Sequence, residues 1–175
     1  MKRKIVSLIL IFVCFIVQTT ILGAFTFTNI KPNMMLVLIV SFALMHGSRT
    51  GIWMGFVSGF LIDLFYGSLF GFNALLFMYI GFVVGKMYQV VFDEDIRVAI
   101  FAVCVSDLAY NVIYYIIKFI FGIKYNFFAY FGHIAVPEII YTLIITIIFY
   151  RLFYWINKKL LADEQEEQES PWLLR

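Results

Sequence analysis

The chain has 175 residues, 63% of them hydrophobic and 14% charged, with a mean hydropathy of +0.95. A soluble domain runs nearer half apolar and a quarter charged, and one this small has too much surface per unit volume to hide the excess. The excess must face lipid, which excludes a soluble enzyme, a nucleic-acid-binding module and a disulfide scaffold, and predicts an all-α integral membrane protein. The net charge of +2 conceals an asymmetry: residues 162–175 hold five acids and one arginine, leaving 12 basic and 6 acidic residues in the rest.

A crossing takes about 20 apolar residues, so six crossings with short loops account for the length. The first apolar run, 5–27, follows Met-Lys-Arg-Lys. It is longer than the apolar stretch of a signal peptide and no Ala-x-Ala site follows it, so it reads as a retained helix. The second run, 33–46, and the third, 51–66, fall short of 20 residues and are separated by Gly47-Ser48-Arg49-Thr50. They either cross where the bilayer is thinned or form a re-entrant pair. The fourth run is 69–85, the fifth 98–121 and the sixth 133–155. Cys14 and Cys104 each lie inside an apolar run without metal-ligand spacing and read as small hydrophobes. Residues 1–161 thus form one polytopic membrane domain, and 162–175 an acidic cytoplasmic tail of the kind usually solvated and disordered. The end of that tail, Pro171-Trp172-Leu173-Leu174, is apolar enough to dock on a partner or lie on the membrane surface.

Orientation follows from the placement of Lys and Arg. With the N-terminus inside, ten basic residues fall on the cytoplasmic side and three, Lys31, Lys118 and Lys124, on the outer side. Both termini are therefore expected inside. Trp53, Tyr125, Tyr130, Tyr154 and Trp155 suit interfacial belts.

The third run carries the most information. Every fourth residue from Gly47 to Gly71 is glycine except one, and that one is Asp63. On a helix Gly51, Gly55, Gly59 and Asp63 line one slowly winding stripe, with Gly67 and Gly71 continuing the spacing. Such a stripe lets another helix approach closely, either a neighbour within the bundle or the transmembrane helix of a partner. Gly81 and Gly85 form a second small-xxx-small pair. Asp63 is costly in a membrane segment and lies near the negative end of its helix, so it is expected to be neutral, paired or capping the next helix, whose start is placed near Ser68. On the fifth and sixth runs, Asp107, Asn111, Lys118 and Glu138 are the further polar positions. They form ion pairs within the bundle or, with Asp63, line a polar cavity opening outward. No HExxH, GxSxG or CxxC occurs, and His46 and His133 fall on opposite sides of the membrane. No catalytic residue, metal site or cofactor is assigned.

The chain resembles the MreD family of rod shape-determining proteins. Gln18 closes the first span, Lys31-Pro32-Asn33 opens the second, and the glycine-rich third span ends in Asp63-Leu-Phe-Tyr-Gly67, followed by Leu69-Phe-Gly71-Phe-Asn73-Ala-Leu. Asn73 stands where many relatives have histidine. The resemblance implies a non-enzymatic subunit of the cell-elongation machinery in the bacterial cytoplasmic membrane. Its implied partners are the single-pass protein MreC, the MreB filament, the RodA glycosyltransferase and its transpeptidase partner. It also implies a six-helix bundle similar to the substrate-binding subunits of energy-coupling-factor transporters. That likeness supplies the alternative function, a small-solute-binding subunit of a transporter.

Overall fold

A computed structural model describes residues 2–24, 32–66, 70–87, 96–122 and 126–169. They form α1 (Lys2–Ala24), α2 (Met34–His46), α3 (Ser48–Tyr66), α4 (Phe72–Met87), α5 (Ile96–Ile120), α6 (Phe127–Tyr130) and α7 (Val136–Glu169). A π-helical turn, Phe131–Ala135, joins α6 to α7 without a break. Six of these helices are long, and no strand occurs among the described residues. Lys31, Gly67, Ser68, Lys124, Tyr125 and the apolar end of the tail lie outside the described residues.

The helices show inverted amphipathicity. On α5 the buried face carries Ser106, Asp107 and Asn111 beside the small Ala99 and Ala102, while Phe101, Val105, Leu108 and Phe119 are exposed. On α1, Ser7, Ile11 and Cys14 turn inward and Ile9, Phe12, Val13 and Ile16 outward. Large apolar side chains outside and small or polar ones inside is the pattern of a bundle solvated by lipid. Two stretches, Ile96–Ile120 and Phe131–Lys159, are long and apolar enough to cross a membrane.

At the centre stands α2. Every residue from Met34 to Ala43 is buried, and α1, α3, α4, α5 and α7 all pack against it. It has only 13 residues, about 20 Å at 1.5 Å per residue, short of a hydrocarbon core of about 30 Å. Its first turn therefore opens inside the bundle, where free N–H groups must find protein partners. They do: Asn33 Oδ1 accepts from the Leu36 N–H at 3.2 Å, and Gln18 Oε1 of α1 accepts from the Met35 N–H at 3.0 Å. Thr142 Oγ1 of α7 accepts from the Asn33 N–H at 3.1 Å. A helix too short to cross alone is thus held at its start by residues of α1 and α7.

The π turn has a local cause. Pro137 offers no N–H and its ring crowds the carbonyl one turn back. The Val136 N–H immediately before it reaches Phe131 O, five residues back instead of four. Tyr130, just before the widened turn, and Ile134 within it line a cavity at one end of the bundle. At the other end, α7 continues through Glu169. The stretch from Ala162 is made of strong helix formers, and extending a formed helix costs far less than starting one. The tail expected from its charge is therefore helical in its backbone as far as Glu169.

Candidate functional site

The glycine stripe of α3 faces α4 of the same chain. A Cβ built on Gly51 would collide with the carbonyl of Gly81, one on Gly55 with the carbonyl of Phe77, and one on Gly59 with Ala74 Cα and the Asn73 carbonyl. Gly81 meets Gly51 in return, and Gly85 meets the backbone of Ser48. Each step of four along α3 is matched by a step of four back along α4, so the two helices run antiparallel with their backbones touching. Gly51, Gly55 and Gly59 are buried in this seam and are closed to a helix from another protein.

Gly71 is not part of the stripe. The helical period ends with α3 at Tyr66, and Gly71 sits in the turn before α4 with φ of +89° and open space where a Cβ would be. Its glycine serves the left-handed backbone conformation.

Asp63 sits where the seam ends, 3% exposed. Its Oδ1 accepts from the Asn73 N–H at 3.2 Å and from Asn73 Nδ2 at 2.8 Å, and its Oδ2 accepts from the Ala74 N–H at 2.9 Å. The side chain of α3 thus supplies the N-terminal cap that α4 lacks locally, and the positive end of α4 offsets the unfavourable end of α3. Asn73 Oδ1 accepts in turn from Tyr110 Oη at 2.8 Å, which ties the hairpin to α5.

At that end of the bundle lies a half-open cavity of about 380 Å³. It is bounded where α1 and α3 end, where α2 and α4 begin, and by α5 and the π turn. Asn111, Lys118 and Glu138, three of the five polar positions expected together, line it. Asp63 does not, because α4 engages both its oxygens. Asp107 does not line it either: it is fully buried below, and neither carboxyl oxygen makes a hydrogen bond. Glu138 faces Asn111 and lies within electrostatic reach of Asp107, and Asp107 faces Thr142. Lys118 Nζ stands 4.5 Å from the centroid of the Tyr114 ring.

The sequence reading missed the aromatic walls. Tyr66, Phe77, Tyr110, Tyr114 and Tyr130 line the cavity, and the Tyr110 and Tyr114 rings stack at 5.9 Å. Tyr130, expected at a membrane interface, is 5% exposed and donates to Asn111 Oδ1 at 3.3 Å. The available signal was spacing: Asp107, Tyr110, Asn111, Tyr114 and Lys118 follow one helical stripe. Chemically the site has an acidic floor, tyrosine walls and one lysine two turns from Asn111. Among the described residues, no group of three or more His, Cys, Asp or Glu side chains is placed to hold a metal ion.

No curated protein and no solved structure matches the chain. A family model described as rod shape-determining protein MreD matches residues 1–160. That span takes in the glycine seam, Asp63 with its cap on α4, and every residue of the cavity, so this chain belongs to the MreD family of rod shape-determining membrane proteins.

Proposed function

We propose that the protein is a non-enzymatic scaffold of the cell-elongation complex in the bacterial cytoplasmic membrane. In this reading it binds an MreC-type single-pass protein through its membrane domain, and couples it to the MreB filament inside and to RodA and its transpeptidase partner. Both termini are cytoplasmic, as the ten-to-three division of basic residues favours. In this reading the six-helix bundle is similar to the substrate-binding subunits of energy-coupling-factor transporters.

The observation that carries the scaffold reading, beside the family, is the α3–α4 hairpin. Its glycine seam fuses two helices into one stiff unit whose outer face is unusually aromatic. Phe56 and Phe60 stack at 6.1 Å, and Phe60 meets Phe70 edge-on at 5.4 Å, all three exposed. The seam shapes this face, and the face is where a partner's helix packs. Gly55→Leu, which forces α3 and α4 apart, is expected to abolish co-purification of the single-pass partner in mild detergent while leaving membrane insertion intact. Normal recovery of the partner with that variant refutes the reading. The alternative, a solute-binding transporter subunit, is favoured by the cavity. It is distinguished in the same experiment by recovery of an ATP-binding transport module in place of wall synthases.

A further inference from the structure

The cavity has features that neither scaffolding nor folding requires. Glu138 reaches its wall although a glutamate in a membrane helix is expensive. Beneath it Asp107 is fully buried with neither oxygen hydrogen-bonded, an arrangement that costs stability unless something compensates. Seven residues, or about 10 Å along α5, separate Asn111 at the floor from Lys118 nearer the helix end. The cavity therefore has an acidic end, at Glu138, and a basic end, at Lys118. Between the two ends the wall is built from Tyr110, Tyr114 and Tyr130, residues whose rings attract an organic cation where a face is open to it. A plain anion meets Glu138, with Asp107 behind it, and a plain cation meets Lys118 on entry. A volume of about 380 Å³ lies at the lower end of the range for small-ligand sites.

We propose that this cavity binds a zwitterionic headgroup with the chemistry of phosphoethanolamine. Glu138 holds the ammonium against the tyrosine walls, and Lys118 faces the phosphate. The inference stands apart from the scaffold reading, since it requires no protein partner. The same chemistry reaches the site either as free phosphoethanolamine or as the headgroup of phosphatidylethanolamine.

The test is native mass spectrometry of the full chain in detergent, equilibrated with equimolar phosphatidylethanolamine and phosphatidylglycerol. The wild type is expected to retain the ethanolamine lipid about tenfold over the glycerol lipid, the scale of one charge-assisted hydrogen bond. Glu138→Gln, which keeps the shape and removes the carboxyl group that would ionise against an ammonium, is expected to bring the ratio to about one on the same scale. Ile134→Trp adds bulk to the cavity wall from the π turn while leaving every polar lining residue unchanged, and is expected to do likewise, with helix content checked by circular dichroism. It serves if Glu138→Gln fails to fold. Displacement of the bound lipid by soluble phosphoethanolamine assigns recognition to the headgroup alone. Resistance to it assigns the site to the membrane-borne lipid. Either result supports the proposal. Equal retention of both lipids by the wild type, or a preference that survives either substitution in a folded variant, overturns it.

Discussion

Removing the carboxyl group of Asp63 is the sharpest test of how the hairpin is built. In Asp63→Ala, two backbone N–H groups in the first turn of α4, those of Asn73 and Ala74, lose their acceptor together with Asn73 Nδ2. The site is 3% exposed, so water does not replace it. Loss of an N-cap costs about 0.5–2 kcal/mol, and leaving a buried donor unsatisfied costs about 1–3 kcal/mol. The two figures describe overlapping losses, so the expected cost is about 2–4 kcal/mol. Asp63→Asn keeps one acceptor but turns an N–H2 toward a donor, and is expected to cost about 1–2 kcal/mol. Tyr110→Phe removes only a neutral bond between helices, worth about 0.6 kcal/mol in a membrane. Reversible unfolding in mixed micelles titrated with sodium dodecyl sulfate measures all three. A stability of Asp63→Ala within about 0.5 kcal/mol of wild type, or a Tyr110→Phe effect as large as that of Asp63→Ala, refutes the capping argument. Wild-type stability combined with loss of the single-pass partner instead makes Asp63 a partner contact.

The seam makes a second prediction: Gly55→Ala places a Cβ against the rigid backbone of Phe77, and is expected to destabilise by about 1–3 kcal/mol in the same titration. Gly71→Ala meets open space but keeps a backbone at φ +89°, and is expected to cost about 1 kcal/mol, from conformation alone. At the start of α2, Thr142→Val removes the acceptor for the Asn33 N–H; a loss of about 1–2 kcal/mol and faster hydrogen exchange confined to the first turn of α2 are expected. Asp107→Asn is expected to leave stability unchanged or raised, because the carboxyl it replaces has no hydrogen bond to lose. A clear loss of stability shows that Asp107 has a partner.

The sequence makes the helices and the lipid-facing character legible because hydropathy acts locally. Which helices touch is a different matter. The Gly51, Gly55 and Gly59 stripe and the Gly81 and Gly85 pair are both visible in the sequence, but spacing does not say that each is the other's partner. The four-residue period was also followed past the end of α3, which placed Gly71 on a stripe that no longer existed there. Asp63 and Asp107 were grouped with the cavity by depth, and depth fixes only one of three coordinates. Tyr130 read as an interfacial residue because a tyrosine near a span end suits the headgroup region. Its hydroxyl instead turns inward to Asn111. The centrality of α2 was legible only as uniform hydrophobicity, which a lipid-facing and a fully enclosed helix share.

The seam also bears on register. Glycines recurring every fourth residue on both helices fit together in more than one alignment. Sliding α4 by four residues, about 6 Å, brings Gly51 opposite Gly85 and Gly55 opposite Gly81, again glycine against glycine. Close approach is therefore open to at least two alignments, and the stripe alone does not select between them. Asp63 breaks that degeneracy, because only one alignment brings its two oxygens to the N–H groups of residues 73 and 74. The glycines set how near the helices come, and the single acid interrupting their period sets where they stop.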